Sequence, residues 1–234
     1  MTGGVSMARY ARLAGVLFLL SMIGGGIGEA YVPGKLIVAS DAALTAANLK
    51  SSDFLFRFGF AAYLIEAICD IGLAWAFYVL LRPVHRELAL LAAFFGLVST
   101  AVFGFAELFY LASSQLLSDA GYLQSFSVDQ RNTLALLSLK TYNLGAAAFM
   151  ALYGIATLLR GYLIFRSGYL PKFLGVLFAI AGFGFIARNF LLLLAPQYGS
   201  PFFLLPMFLA GIVATVWFLA KGVSLPSAAR DPRH

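Results

Sequence analysis

Seven ionisable residues fall inside or at the edge of otherwise apolar stretches: Glu29, Arg57, Glu66, Asp70, Glu107, Lys140 and Arg188. A charge at the middle of a bilayer costs roughly 2.5–3.5 kcal/mol on insertion scales. Such residues persist where they pair, line a cavity or handle ions. The set is nearly balanced. Glu66, Asp70 and Glu107 are available to meet Lys140 and Arg188, with Glu29 near one boundary. Two chemistries are open to them. Paired charges would fix helix register. A shared polar cavity would bind a small ligand or ion, with Glu66 exchanging protons and Asp70 as the next relay point.

Spacing puts these residues on defined helix faces. Gly59, Tyr63, Glu66 and Asp70 recur at four-, three- and four-residue steps, which is one face. Thr100 and Glu107 share another, continuing to Ser114 with Gly104 beside it. Lys140, Asn143, Ala147 and Gly154 form a third, and Ala181, Gly184 and Arg188 a fourth. Stripes of small and polar residues face a bundle interior rather than lipid. Arg57 lies off its stripe and is placed to snorkel to the interface. The candidate ligand-binding set is therefore Glu66, Asp70, Glu107, Lys140, Asn143, Arg188, Tyr63 and Glu29.

The elements that must carry them are membrane spans. Of 234 residues, 62% are hydrophobic, against about 45–50% in a soluble domain. Spans are expected at 13–31, 54–81, 88–111, 127–164, 172–195 and 202–220. At about 1.5 Å per residue, Glu66 lies roughly 16 Å into a ~30 Å core. A cleavable signal is the rival reading of the first run, which is long for such a segment. Asp41 is placed to cap a short surface helix through Leu49. Ser127-Val-Asp-Gln130 has the spacing of a capping box. Pro206 is placed to kink the last span, and the polar tail from Lys221 is expected to be disordered. The organisation expected is a segment 1–10, a six-helix membrane domain 11–220 and a tail 221–234.

Charge sets orientation. Arg9, Arg12, Arg82, Arg86, Arg160, Arg166, Lys172, Lys221, Arg230 and Arg233 collect at one side, and the other side has only Lys35, Lys50 and Arg131 in its loops. The positive-inside rule then puts both termini in the cytoplasm. The net charge of +6 is thus topogenic, and no nucleic-acid partner is expected. The partner is the lipid bilayer, with a small polar ligand or ion in the cavity.

A single cysteine, Cys69, and two histidines, His85 and His234, leave little for a metal site. No metal or cofactor is expected. No G-x-S-x-G or H-E-x-x-H motif is present, so an enzyme acting on lipid has no motif to support it. Intramembrane Ser99, Thr100, Ser138 and Thr141 are expected to bond backbone carbonyls. The glycines Gly24, Gly25, Gly26 and Gly28 would let a neighbouring helix approach closely.

Two turns carry a resemblance. Arg82-Pro-Val-His-Arg-Glu-Leu-Ala-Leu-Leu-Ala-Ala-Phe-Phe95 and Gly161-Tyr-Leu-Ile-Phe-Arg-Ser-Gly-Tyr-Leu-Pro-Lys-Phe-Leu-Gly175 resemble a bacterial multi-pass family, the domain of unknown function DUF4386. The similarity runs from about Ala11 to about Phe218. It implies an all-α polytopic fold of six transmembrane helices in a bacterial inner (cytoplasmic) membrane. It assigns no catalytic or binding residue. The sequence leaves two functions open: binding or translocation of a small ligand or ion, and a non-catalytic scaffold or regulator whose ion pairs are structural. Oligomeric state is not fixed by the sequence.

Overall fold

A computed structural model describes residues 2–198 and 200–223. Every regular element among them is helical. The first helix, α1, is Thr2–Gly25, and runs into a π-helical segment, Gly26–Tyr31. Next come two short helices, α2 (Val32–Leu36) and α3 (Ala42–Ser51). The long helices are α4 (Asp53–Leu81), α5 (Arg86–Leu116), α6 (Val128–Arg166) and α7 (Lys172–Leu194). The last, α8, is Leu205–Ala220. Six helical stretches are long and apolar enough to cross a bilayer, the first being Met7–Leu36 and the last Phe202–Ala220. The helix at the N-terminus begins nearer the start than the polar segment 1–10 suggested. The tail beyond residue 223 lies outside the described residues.

Local chemistry explains the ends. The Asp41 carboxylate accepts from Leu44 N–H at 2.9 Å and caps α3. Ser127 and Gln130 bond each other's backbone N–H groups at 2.8 and 3.2 Å, so the capping box opens α6. The Arg-Ser-Gly-Tyr-Leu-Pro segment is a built turn. Gly168 has a φ of 71°, which favours glycine. The Ser167 hydroxyl donates to Ile164 C=O at 2.8 Å and accepts from Leu170 N–H at 3.1 Å. The Tyr169 hydroxyl donates to Leu80 C=O at 2.5 Å. Burial pushes that hydroxyl up to about 12, so it stays a donor at any ordinary pH.

The chain forms two compact units. One comprises Met1–Leu20, Cys69–Thr100 and Met150–His234, and the other Ser21–Ile68 and Ala101–Phe149. The first unit centres on Phe77, whose ring meets Phe18, Phe178 and Phe218 edge-on at centroid distances of 5.7–5.8 Å. Its α6–α7 hairpin rests on glycine. Gly154 and Gly161 are seven apart on α6, and Gly175 and Gly182 are seven apart on α7. A Cβ at Gly161 would stand 2.6 Å from Ala179 N, and one at Gly182 2.6 Å from Leu158 N. The two backbones therefore touch. In lipid no hydrophobic force drives helices together, and close packing at small residues takes its place.

The second unit repeats the device. A Cβ at Gly24 would lie 2.8 Å from Ala62 O, and one at Gly28 2.9 Å from Gly59 O. The expected approach of a neighbouring helix is therefore made, by α4, at Gly24, Gly25 and Gly28. Gly26 meets nothing within 4 Å. Large apolar side chains such as Ile68, Trp75, Phe105 and Phe183 are exposed, and Glu107 is 2% exposed. An apolar exterior around polar interior groups suits a lipid surround.

Gly161→Ala is expected to force α6 and α7 apart and lower the unfolding midpoint in detergent, at a cost of about 1–3 kcal/mol. Gly34→Ala, with nothing within 4 Å of the added Cβ, is the control and should leave the midpoint unchanged. Equal midpoints for both variants would refute the close crossing.

Candidate functional site

The second unit holds a carboxyl–phenol cluster. Glu29 comes from the π-helical segment, Glu107 and Tyr110 from α5, and Tyr142 from α6. A π-turn inserts one residue, which rotates the rest of the helix by about 100°. Here the inserted turn carries Glu29. The α5–α6 contact is set by Gly145, where a Cβ would run into Ala106. That contact lies one residue from Glu107 and three from Tyr142.

The Tyr142 hydroxyl donates to Glu29 Oε2 at 2.5 Å. The Glu107 carboxyl lies close enough to Glu29 and Tyr142 to interact electrostatically with both. Tyr110, 2% exposed, stacks on Phe56 at 4.2 Å and donates to Phe56 C=O at 3.3 Å. Phe103 stacks on Phe149 at 4.4 Å and meets Tyr63 edge-on at 4.9 Å, walling the cluster with aromatic rings. Glu29 Oε1 is buried, and no N–H or O–H donor among the described residues reaches it. Neither carboxyl takes part in an ion pair among the described residues. Two carboxylates offer only acceptors. Their contact closes only when a proton or a cation joins them.

The expected site residues divide. Tyr63, Glu66, Asp70 and Glu107 sit on the faces that spacing assigned, with Tyr63, Asp70 and Glu107 buried. Glu66 packs on α1: its Oε1 is 2.7 Å from where a Gly25 Cβ would be, so glycine there makes room for the carboxyl. Glu107 lies beside Glu29, which was expected near the mouth of the site, and beside Tyr142. Lys140 and Asn143 are exposed. The buried face of α6 runs through Ala135, Ser138, Leu139, Tyr142, Ala146 and Phe149 instead. It is rotated because there Ser138 bonds Phe109 C=O at 2.6 Å and Tyr142 bonds Glu29. Arg188 donates to Asn189 Oδ1 at 3.3 Å and to Met150 Sδ at 3.8 Å. Arg57 is exposed and pairs with Asp53 at 2.7 Å.

Three features were missed. Tyr110 and Tyr142 gave no sign beyond a seven-residue register with Phe103 and Phe149. The glycine pairs at 154/161 and 175/182 were legible as seven-residue repeats. Arg160, counted as a topogenic charge, is 2% exposed inside α6. The hydroxyls behave as expected: Ser99, Thr100 and Thr141 bond carbonyls of their own helices at 2.7–3.1 Å. At the turns, Pro83, Val84, His85, Tyr162, Arg166, Ser167 and Tyr169 line an open cleft of about 320 Å³.

An all-helical chain with six bilayer-length apolar helices and buried carboxyls is of the polytopic membrane class. The chain belongs to the family described as a domain of unknown function (DUF4386), whose model matches residues 13–222. It is also similar to an uncharacterized protein of Archaeoglobus fulgidus, 27% identical over 169 residues, which is 70% of this chain and 84% of that relative. No solved structure matches it.

A shared proton should be visible. Infrared spectra of the protein in bilayers near neutral pH should contain a protonated-carboxyl band that Glu107→Gln and Glu29→Gln each reduce. Tyr142→Phe should lower the unfolding midpoint, at about 1 kcal/mol for one lost hydrogen bond. A band unaffected by both glutamine variants would place the proton elsewhere.

Proposed function

We propose that this protein binds and translocates a small ion across a bacterial inner membrane, with the proton as the first candidate, and that both its termini are cytoplasmic. The observation that carries this reading is the placing of the Glu29 and Glu107 carboxyls close together beside the Tyr142 hydroxyl, which donates to Glu29, within helices of bilayer length. A carboxyl pair holds one proton or small cation well and two negative charges badly. Loss of the shared proton leaves like charges in contact, which drives side chains apart and admits water or a counter-ion. That coupling of charge to local geometry is what an ion-exchange step needs. Glu29 Oε1, buried beside Glu107 and Tyr142, is the acceptor placed to meet the ion. The π-turn supplies a backbone element that can shift register by one residue.

The orientation rests on the lysine and arginine count of the turns. The bacterial inner membrane rests on the family resemblance. Glu66 and Tyr63, in the same unit as Glu29 and Glu107, belong to the proposed ligand path as further polar groups, and Asp70 and Arg188 belong to the other unit. Lys140 and Asn143, on the exposed face of α6, belong to its surface. A scaffold role is the second reading. It is favoured by the interhelical bonds Tyr142–Glu29 and Ser138–Phe109, which would hold the fold whether or not an ion moves.

Reconstituted vesicles with a pH-sensitive dye inside, driven by a potassium diffusion potential, separate the two. Wild type should acidify or alkalinise the lumen faster than protein-free vesicles. Glu107→Gln and Glu29→Gln, which keep hydrogen bonding but cannot exchange the proton, should fall to the protein-free rate while still folding. Equal rates for wild type and both variants would leave only the scaffold.

A further inference from the structure

The first unit contains a buried cation that the carboxyl–phenol cluster does not use. Arg160 is the largest of its fully buried side chains. Its guanidinium lies over the rings of Phe77 and Tyr153, at 5.1 and 5.5 Å. One edge presses on Gly96, where a Cβ would be 2.7 Å from Nη2. Its Nε is buried and has no hydrogen-bond partner among the described residues. Arg160 also takes part in no ion pair among them.

Arginine stays charged in proteins. Two cation–π contacts offset part of the desolvation of a guanidinium, and an unmet donor adds to its cost. Aromatic rings cover the group's faces and give its Nε no acceptor. The surroundings extend the charge. Met150, Tyr153, Thr157 and Arg160 recur at three-, four- and three-residue steps and so share one face of α6. The far end of that stripe, Met150, holds Arg188, whose Nε is likewise buried without a partner among the described residues. Met150 and Arg160 are ten residues, about 15 Å, apart along α6. On α4, Asp70 shares a face with Ala74 and Phe77, and is 8% exposed.

We infer that Arg160 anchors a binding site for a small oxyanion, a carboxylate in the first instance, in the first unit. The planar two-oxygen edge of a carboxylate matches the guanidinium fork and supplies both the charge and the acceptors that the protein leaves out. The site stands apart from the proton reading and does not depend on it.

The test uses purified full-length chain in detergent. Its unfolding midpoint is followed against sodium acetate, with sodium chloride at equal ionic strength as reference. Saturation-transfer NMR on the acetate methyl group reads binding directly. Wild type should give a saturable rise and a transfer signal. Arg160→Gln should lose both. Arg160→Lys keeps the charge but loses the fork, and should bind about tenfold more weakly. If Arg160→Gln does not fold, wild type and Arg160→Lys decide. Absence of a saturable response in wild type overturns the proposal. A response confined to Asp70→Asn overturns it too, because Asp70 alone would then be the counter-charge. So does an equal response in wild type and Arg160→Lys.

Discussion

A polar group in hydrocarbon must find its partner inside the protein, and the helices of this chain are arranged around that demand. The buried hydroxyls of Ser99, Thr100 and Ser138 bond backbone carbonyls. The carboxyls find each other and a phenol. Close helix approach makes this possible, because a hydrogen bond spans only about 3 Å. Glycine supplies the approach: at Gly24 and Gly28 against α4, at Gly145 against α5, and at Gly154, Gly161, Gly175 and Gly182 between α6 and α7.

The two kinds of buried charge ask for different things. The paired carboxyls of Glu29 and Glu107 call for a proton or cation between them. Arg160 is held by the rings of Phe77 and Tyr153. Acid and base are thus buried in separate units of the chain, each against aromatic rings.

The turns that carry the family resemblance have a physical role of their own. Gly168 takes the left-handed conformation, Ser167 closes the turn with its hydroxyl, and Tyr169 ties the turn to the end of α4. Together these fix where α6 stops and α7 begins, and hence the seven-residue register in which their glycines meet. A segment recognisable in sequence is therefore one whose backbone geometry the helix crossing requires.

Six spans, the caps at Asp41 and Ser127, and the inward faces of α4 and α5 were legible in the sequence. Each depends on local periodicity or on hydrogen bonds within three residues. The face of α6 was not legible. Lys140 and Asn143 formed as good a polar stripe as Ser138 and Tyr142, and only the positions of Phe109 C=O and Glu29 on other helices select between them. That Glu29 meets Tyr142 was not legible, because a π-turn shifts register without a sequence signature. That Arg160 is buried was not legible, because a basic residue near the end of α6 reads as an anchor until Phe77 and Tyr153 close over it. Hydropathy and spacing determine which segments cross and how each begins. Which polar groups meet is decided only when separate helices pack, since a partner far along the chain leaves no trace in local sequence.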